Sequence, residues 1–152
     1  MMEQFEISQK AEQPVLCIRT RTAVENLPQE IGKAYQAIMQ YMQELGQAPQ
    51  SAPYTAYFNI DMEDLDVEMG FPVPQPLAGR GEIKAGSIPA GSQASCVYRG
   101  PYSGMAQAYE ELTTKVTESG YTPTGVTYEF YYNAPGEVPD SELLTKIVFL
   151  LK

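Results

Sequence analysis

Apolar residues recur at helical spacing in two separate stretches of the chain. Ile31, Tyr35, Ile38, Met42 and Leu45 make the first stripe; Met105, Tyr109, Leu112 and Val116 make the second. Residues three and four apart share one face of a helix, so each stripe predicts an amphipathic helix that a sheet must cover. Gly46 followed by Pro49 ends the first helix and Gly120 followed by Pro123 ends the second, because glycine accepts the left-handed cap and proline stops the helix from resuming. Shorter alternating runs flank both helices. QFEIS and PVLCIRTR precede the first; PYTAYFN and DVEMGFPV follow it, the last with Val67, Met69, Phe71 and Val73 on one face. GEIKAGSIP and SQASCVYR precede the second helix, TYEFYYN and LLTKIVFLL follow it, and PQPLAGRG joins the halves as a Pro/Gly connection.

The two halves are copies of one unit. An ungapped alignment at an offset of 74 residues pairs Ala34 and Tyr35 with Ala108 and Tyr109, Glu44 with Glu118, Gly46 with Gly120 and Pro49 with Pro123. It also pairs Tyr54, Tyr57 and Asn59 with Tyr128, Tyr131 and Asn133. Self-similarity at a fixed offset marks a repeated structural unit. The expected fold class is therefore α+β, with pseudo-twofold duplicated ββαββ units, mainly antiparallel sheets and one long helix per repeat. Repeat one runs from about residue 3 to 75 and repeat two from about 81 to 152, within a single domain over residues 1–152.

Within the matched strands the neutral Thr55 of the first copy becomes a carboxylate, Glu129, in the second. Successive strand residues face opposite sides of a sheet. If the helix covers Tyr128, Phe130 and Tyr132, then Glu129, Tyr131 and Asn133 face the other side, joined from the first copy by Thr55, Tyr57 and Asn59. This assignment spares Glu129 an unpartnered burial against an apolar helix, which would cost several kcal/mol. The strand is aromatic throughout and also reads the other way. Two such sheets about a pseudo-twofold axis would enclose a ligand cleft between the halves, rimmed by tyrosines with one carboxylate inside. Tyr35 and Tyr109, on the helix stripes, read as core residues. Tyr102, in the turn after Gly100 and Pro101, is placed to hang over the mouth of such a cleft.

Composition narrows the chemistry. With 43% apolar and 19% charged residues the chain is ordinary for a globular protein. No apolar run of about 18 residues is present for a membrane span, and MMEQFEISQK lacks the basic start and apolar core of a secretory signal. A cytoplasmic location is expected. Ten Lys and Arg against nineteen Asp and Glu leave a formal charge of −9, which disfavours direct contact with a phosphate backbone. That acidity permits a preference for cationic small molecules without showing one, and reads first as a surface that keeps the protein soluble. The absence of His excludes His-dependent triads and the common His-containing zinc sites. Cys17 and Cys96 lie in the apolar runs VLCIR and SCVYR and read as core. The acidic run from Asp61 to Asp66 lacks the glycine and downstream glutamate of a calcium loop and reads as a solvated turn. Neither a metal nor a cofactor is expected, and any chemistry would rest on carboxylates, tyrosines and water.

Four features together resemble the GyrI-like small-molecule-binding domains: the repeated unit, the segment YRGPYSGMAQAYEEL leading into a helix, the strand YEFYYN with its glutamate, and the terminal TKIVFLL. This BmrR/Rob superfamily of tandem SHS2 modules includes the effector-binding domains of multidrug and AraC-type regulators and the DNA gyrase inhibitors. The resemblance covers essentially the whole chain. It implies an aromatic-lined pocket between the two halves, often holding a buried glutamate that meets a ligand's positive charge. Glu129 occupies the matching position, with Tyr57 and Tyr131 carried over as its strand neighbours. No DNA-binding segment precedes the first strand, so a stand-alone form is expected rather than a transcription regulator.

The primary expectation is a module that binds aromatic, often cationic or lipophilic compounds through Glu129, Tyr57, Tyr131, Thr55, Asn133 and Tyr102, using ring faces for cation–π attraction and Glu129 for charge pairing. The alternative is a hydrolase, since some stand-alone relatives open cyclopropane-bearing DNA-alkylating compounds. In that case Glu129 would be the general base and Tyr131 or Tyr57 would polarise the reacting carbonyl. A third expectation is an interaction protein whose acidic surface contacts gyrase or a separate regulator.

Overall fold

The computed structural model describes residues 2–152. Its elements, in chain order, are β1 (Met2–Lys10), β2 (Gln13–Thr22), α1 (Leu27–Glu44), β3 (Tyr54–Tyr57), β4 (Leu65–Pro72), β5 (Lys84–Ile88), β6 (Gly91–Arg99), α2 (Met105–Glu118), β7 (Pro123–Tyr131) and β8 (Leu144–Leu151). The α+β class and the duplicated plan expected from the sequence are observed. Gly46 and Gly120 close the two helices with φ of +68° and +85°, the left-handed caps that their positions predict.

The chain divides into two compact units, Ala11–Ala90 and the residues up to Lys10 together with Gly91–Lys152. In the first, antiparallel strands run in the order β3-β4-β2-β5. Its α1 buries Ile38, Tyr41 and Met42 on Leu16, Phe71 and Val73, while Ala34 packs on Leu65, Val67 and Met69. In the second, the order is β1-β6-β8-β7. There α2 buries Met105, Ala108, Leu112 and Val116 on Ala94, Cys96, Tyr98, Ile147, Phe149 and Leu151.

The leading strand of each sequence repeat pairs in the other repeat's sheet. β1 bonds to β6, and β5 bonds to β2. The connections explain this. Two residues link β1 to β2 (Ala11 and Glu12) and two link β5 to β6 (Pro89 and Ala90). A two-residue hairpin needs positive φ, hence Asn-Gly, Asp-Gly or a leading Gly, and neither Ala-Glu nor Pro-Ala supplies it. A tight hairpin at either junction is therefore disfavoured, and the chain carries on from one unit into the next. β1, at the edge of its sheet, also carries a bulge between Glu3 and Glu6, with Gln4 at φ +54°.

The GPYSG turn positions α2 through one buried phenol. Tyr98, 5% exposed, donates its hydroxyl to the carbonyl of Pro101 at 2.7 Å. That ring end leaves no room for a side chain at Gly104, where a Cβ would stand 2.1 Å from Tyr98 Oη. Gly100 has φ +145°, a conformation that side chains avoid. Gly104→Ala is therefore expected to cost about 1–3 kcal/mol in urea unfolding. Tyr98→Phe in the same chain should shrink that penalty by removing the colliding atom, and equal penalties in both backgrounds would show that the hydroxyl is not the obstacle.

Candidate functional site

Register decides which face Glu129 takes. In β7 it stands opposite Ile147 of β8, and Ile147 lies in the core beneath α2. Directly opposed residues in an antiparallel pair share a face. Glu129 therefore faces α2, and Tyr128 and Phe130, opposite Val148 and Lys146, take the other side. This corrects the expectation that the helix covers Tyr128, Phe130 and Tyr132; Tyr132 is half exposed. The reason is that the helix stripe is not wholly apolar. Tyr109 of α2 points its hydroxyl at the carboxylate and donates a hydrogen bond to Glu129 Oε2.

A second phenol completes the arrangement. Tyr131, two residues along β7 and so on the same face, donates to Glu129 Oε1 at 2.8 Å. Its ring lies 6.2 Å from that of Tyr102, tilted by 60°. Tyr102 sits in the short 3-10 turn Tyr102–Gly104 ahead of α2 and is 42% exposed. Behind the carboxylate, Tyr109 packs against Phe149 at 5.9 Å. The result is a carboxylate only 9% exposed, walled by three tyrosines. No Lys or Arg among the described residues is ion-paired with it.

Burial sets the electrostatics. Loss of solvent raises the Glu129 pKa above its usual carboxylate range, and the two phenol hydrogen bonds oppose that rise by stabilising the anion. The Tyr102 phenol is also pushed up, by its own partial burial and then by the nearby charges of Glu129 and Asp140. Elsewhere burial pushes the thiols up, Cys17 to about 12 and Cys96 to about 11, which disfavours their thiolates.

Of the residues singled out from the sequence, Glu129, Tyr131 and Tyr102 come together. Asn133 does not join them. Its amide closes the β7–β8 hairpin, with Nδ2 donating to the carbonyl of Glu142 at 3.3 Å and Oδ1 accepting from the Leu144 N–H at 2.9 Å. Asn59 braces the β3–β4 hairpin in the same way through Asp64 and Asp66. Thr55 and Tyr57 belong to the Ala11–Ala90 unit. Thr55 is fully buried 3.2 Å from the hydroxyl of Tyr35, which donates to the carbonyl of Tyr54 at 2.8 Å, and Tyr57 packs on the cluster of Ala34, Leu65, Val67 and Met69. The first copy thus holds a neutral counterpart of the Tyr109–Glu129 contact.

Tyr109 is the site residue that the periodicity assigned to the core. A signal for it was present in the repeat alignment, where Tyr35 coincides with Tyr109 as Thr55 does with Glu129. No group of three or more His, Cys, Asp or Glu side chains among the described residues could hold a metal ion, and no described helix is long and apolar enough to cross a membrane.

The architecture is an antiparallel α+β duplication with a buried, phenol-bound glutamate in its second copy. The chain belongs to the GyrI-like family, matching the GyrI-like small molecule binding domain over residues 3–152. Among solved structures it resembles EcmrR in a cryo-EM complex with DNA, with a TM-score of 0.82 and 22% identity over 98% of this chain and 57% of that one. The chain therefore spans a little over half the length of that protein. It also resembles a hydrolase from Listeria innocua, with a TM-score of 0.71 and 12% identity over 99% of this chain and 92% of that one. A third likeness is to SAV2435 bound to tetraphenylphosphonium, with a TM-score of 0.64 and 11% identity over 98% and 94% of the two chains. At these identities the likeness is one of fold. No curated protein sequence matches the chain.

The raised Glu129 pKa has a signed consequence. Across the interval between its ordinary value of 4.5 and its folded value, the folded state binds more protons than the unfolded state. Its contribution to stability is then complete below 4.5 and is lost as pH rises through the folded value. Glu129→Gln, permanently neutral, is expected to gain stability relative to wild type as pH is raised from 4.5 towards neutrality. Denaturant unfolding at a series of pH values measures this, and a difference that stays constant with pH would mean that Glu129 titrates normally.

Proposed function

We propose that this GyrI-like domain binds aromatic, positively charged or lipophilic compounds, with Glu129 as the anionic anchor and Tyr102, Tyr109 and Tyr131 as its aromatic surround. The observation that carries the reading is a carboxylate nearly removed from water, given two phenol hydrogen bonds and no described cationic partner. Two neutral donors reduce the cost of that burial without cancelling the charge. An organic cation would cancel it and would place its charge over tyrosine faces, each such contact adding about 0.5–2 kcal/mol. A few contacts of that size with one charge pair reach affinities on the order of micromolar. The fold in SAV2435 is seen with such a cation, tetraphenylphosphonium, which supports the reading.

The same geometry supports a second reading as a hydrolase. The Tyr131 hydroxyl and the Glu129 carboxylate stand 2.8 Å apart, and a carboxylate with a raised pKa is a better base towards water than an ordinary one. Glu129 would take a proton from water as that water attacks a strained electrophile, and a tyrosine hydroxyl would stabilise the developing oxyanion.

Calorimetric titration separates these readings. Tetraphenylphosphonium should bind wild type about tenfold more tightly than Glu129→Gln, the size of a charge-assisted interaction, whereas neutral triphenylphosphine oxide should not discriminate between them. Equal affinity of both proteins for the cation would remove Glu129 from the site. Multiple turnovers of a cyclopropane-bearing alkylating compound, abolished in Glu129→Gln, would move the assignment from binder to hydrolase.

A further inference from the structure

Beside the Glu129 site lies a buried hydroxyl that the fold does not use. Thr145 of β8 is 1% exposed, and its Oγ1 has no hydrogen-bond partner among the described residues. Register fixes its surroundings: Thr145 stands opposite Tyr131 of β7 and opposite Tyr98 of β6, on the face that α2 covers. Neither phenol donates its proton to Thr145, since Tyr98 gives its own to the Pro101 carbonyl and Tyr131 to Glu129. The next residues of β8 on this face are Ile147 and Phe149, so the local environment is one in which valine would fill the same volume without stranding a polar atom. An unpaired buried hydroxyl costs stability, and such a group in a folded protein calls for an explanation.

We propose that Thr145 is the hydrogen-bonding end of the Glu129 site, and that its preferred ligands are aromatic amines bearing N–H groups on the charged nitrogen rather than quaternary or phosphonium cations. This rests on the binding reading given above. Directly opposed side chains in an antiparallel pair have Cβ atoms about 4.5–5.5 Å apart and diagonal ones about 7–8 Å, which places Thr145 beside Tyr131 and one diagonal step from Glu129. A carboxylate has about four lone-pair positions, and the two phenols occupy two of them. A protonated amine can give one N–H to a remaining Glu129 lone pair and a second to Thr145 Oγ1. A trimethylated nitrogen gives neither, and its methyl shell also holds the charge farther from the carboxylate.

A matched pair of probes, 9-anthracenylmethylammonium and its N-trimethyl counterpart, tests this in the full chain at neutral pH by calorimetry. Wild type should prefer the ammonium. Thr145→Val should reduce that preference about tenfold, the value of one hydrogen bond to a charged group, and Thr145→Ser should restore it. Thr145→Val should also melt at or above the wild-type temperature, because it removes an unpaired polar atom from the core. No preference in wild type, or an unchanged ratio in Thr145→Val, overturns the assignment. A melting temperature lowered by several degrees in Thr145→Val would reveal a partner for the hydroxyl within the protein and overturn it too. A different pattern marks failure of the underlying reading: neither probe bound by wild type, or both bound equally well by wild type and Glu129→Gln.

Discussion

A carboxylate buried beneath a helix places a demand on the Gly91–Lys152 part of the molecule that apolar packing alone does not meet. Removing Glu129 from water without compensation would cost several kcal/mol, or would drive it to protonate. Tyr109 supplies the first donor, reaching Glu129 from a helix that packs over β6 and β8. The same residue packs its ring on Phe149, so one side chain satisfies both the core and the charge. Tyr131 supplies the second donor from the strand itself. The turn that starts α2 is held by Tyr98 through Pro101 and by the small residue at position 104, which together determine where the helix begins and where Tyr109 falls one turn later.

The two copies show how little is needed to convert a structural contact into a charged site. In both, a helix tyrosine reaches the strand at the same aligned position. In the Ala11–Ala90 unit its hydroxyl is spent on the Tyr54 carbonyl and lies against Thr55, all neutral. In the other unit a carboxylate replaces the threonine, and the phenol turns to it. The hairpin braces at Asn59 and Asn133 are unchanged. The duplicated plan is therefore common to both units; the copies differ in strand length, β3 having 4 residues and β7 having 9, and in the side chain that carries the charge.

The helices, their glycine caps, the strands and the duplication were legible because each depends on local periodicity or on self-similarity. The exchange of leading strands was not read from alternation, since pairing partners are non-local; it was written in Ala11-Glu12 and Pro89-Ala90, which lack hairpin chemistry. Glu129 was found as the charge that breaks the repeat, and Tyr131 and Tyr102 as its neighbours. Its face was misjudged because burial against an apolar stripe looked prohibitive, and the stripe's tyrosine was counted for its ring and not for its hydroxyl. Asn133 was placed with the site by alternation alone, although amide side chains at strand ends commonly satisfy turn backbone instead. Thr145 carries no signal in the sequence, because an unpaired hydroxyl becomes visible only when the cross-strand partners are known.

The charge on Glu129 also limits what the site can hold. An inorganic divalent cation wants several oxygen ligands, and the described residues offer no cluster of three acidic, His or Cys groups. An anion would be repelled by the carboxylate. A neutral aromatic compound would leave the charge of an ionised Glu129 uncompensated. On the binding reading proposed above, an organic cation gains from the phenols and from the carboxylate together, and the burial of Glu129 lessens the screening of that attraction. The raised pKa belongs to the same balance, since the burial that raises it also strengthens the attraction of the ionised carboxylate for an opposite charge that reaches it.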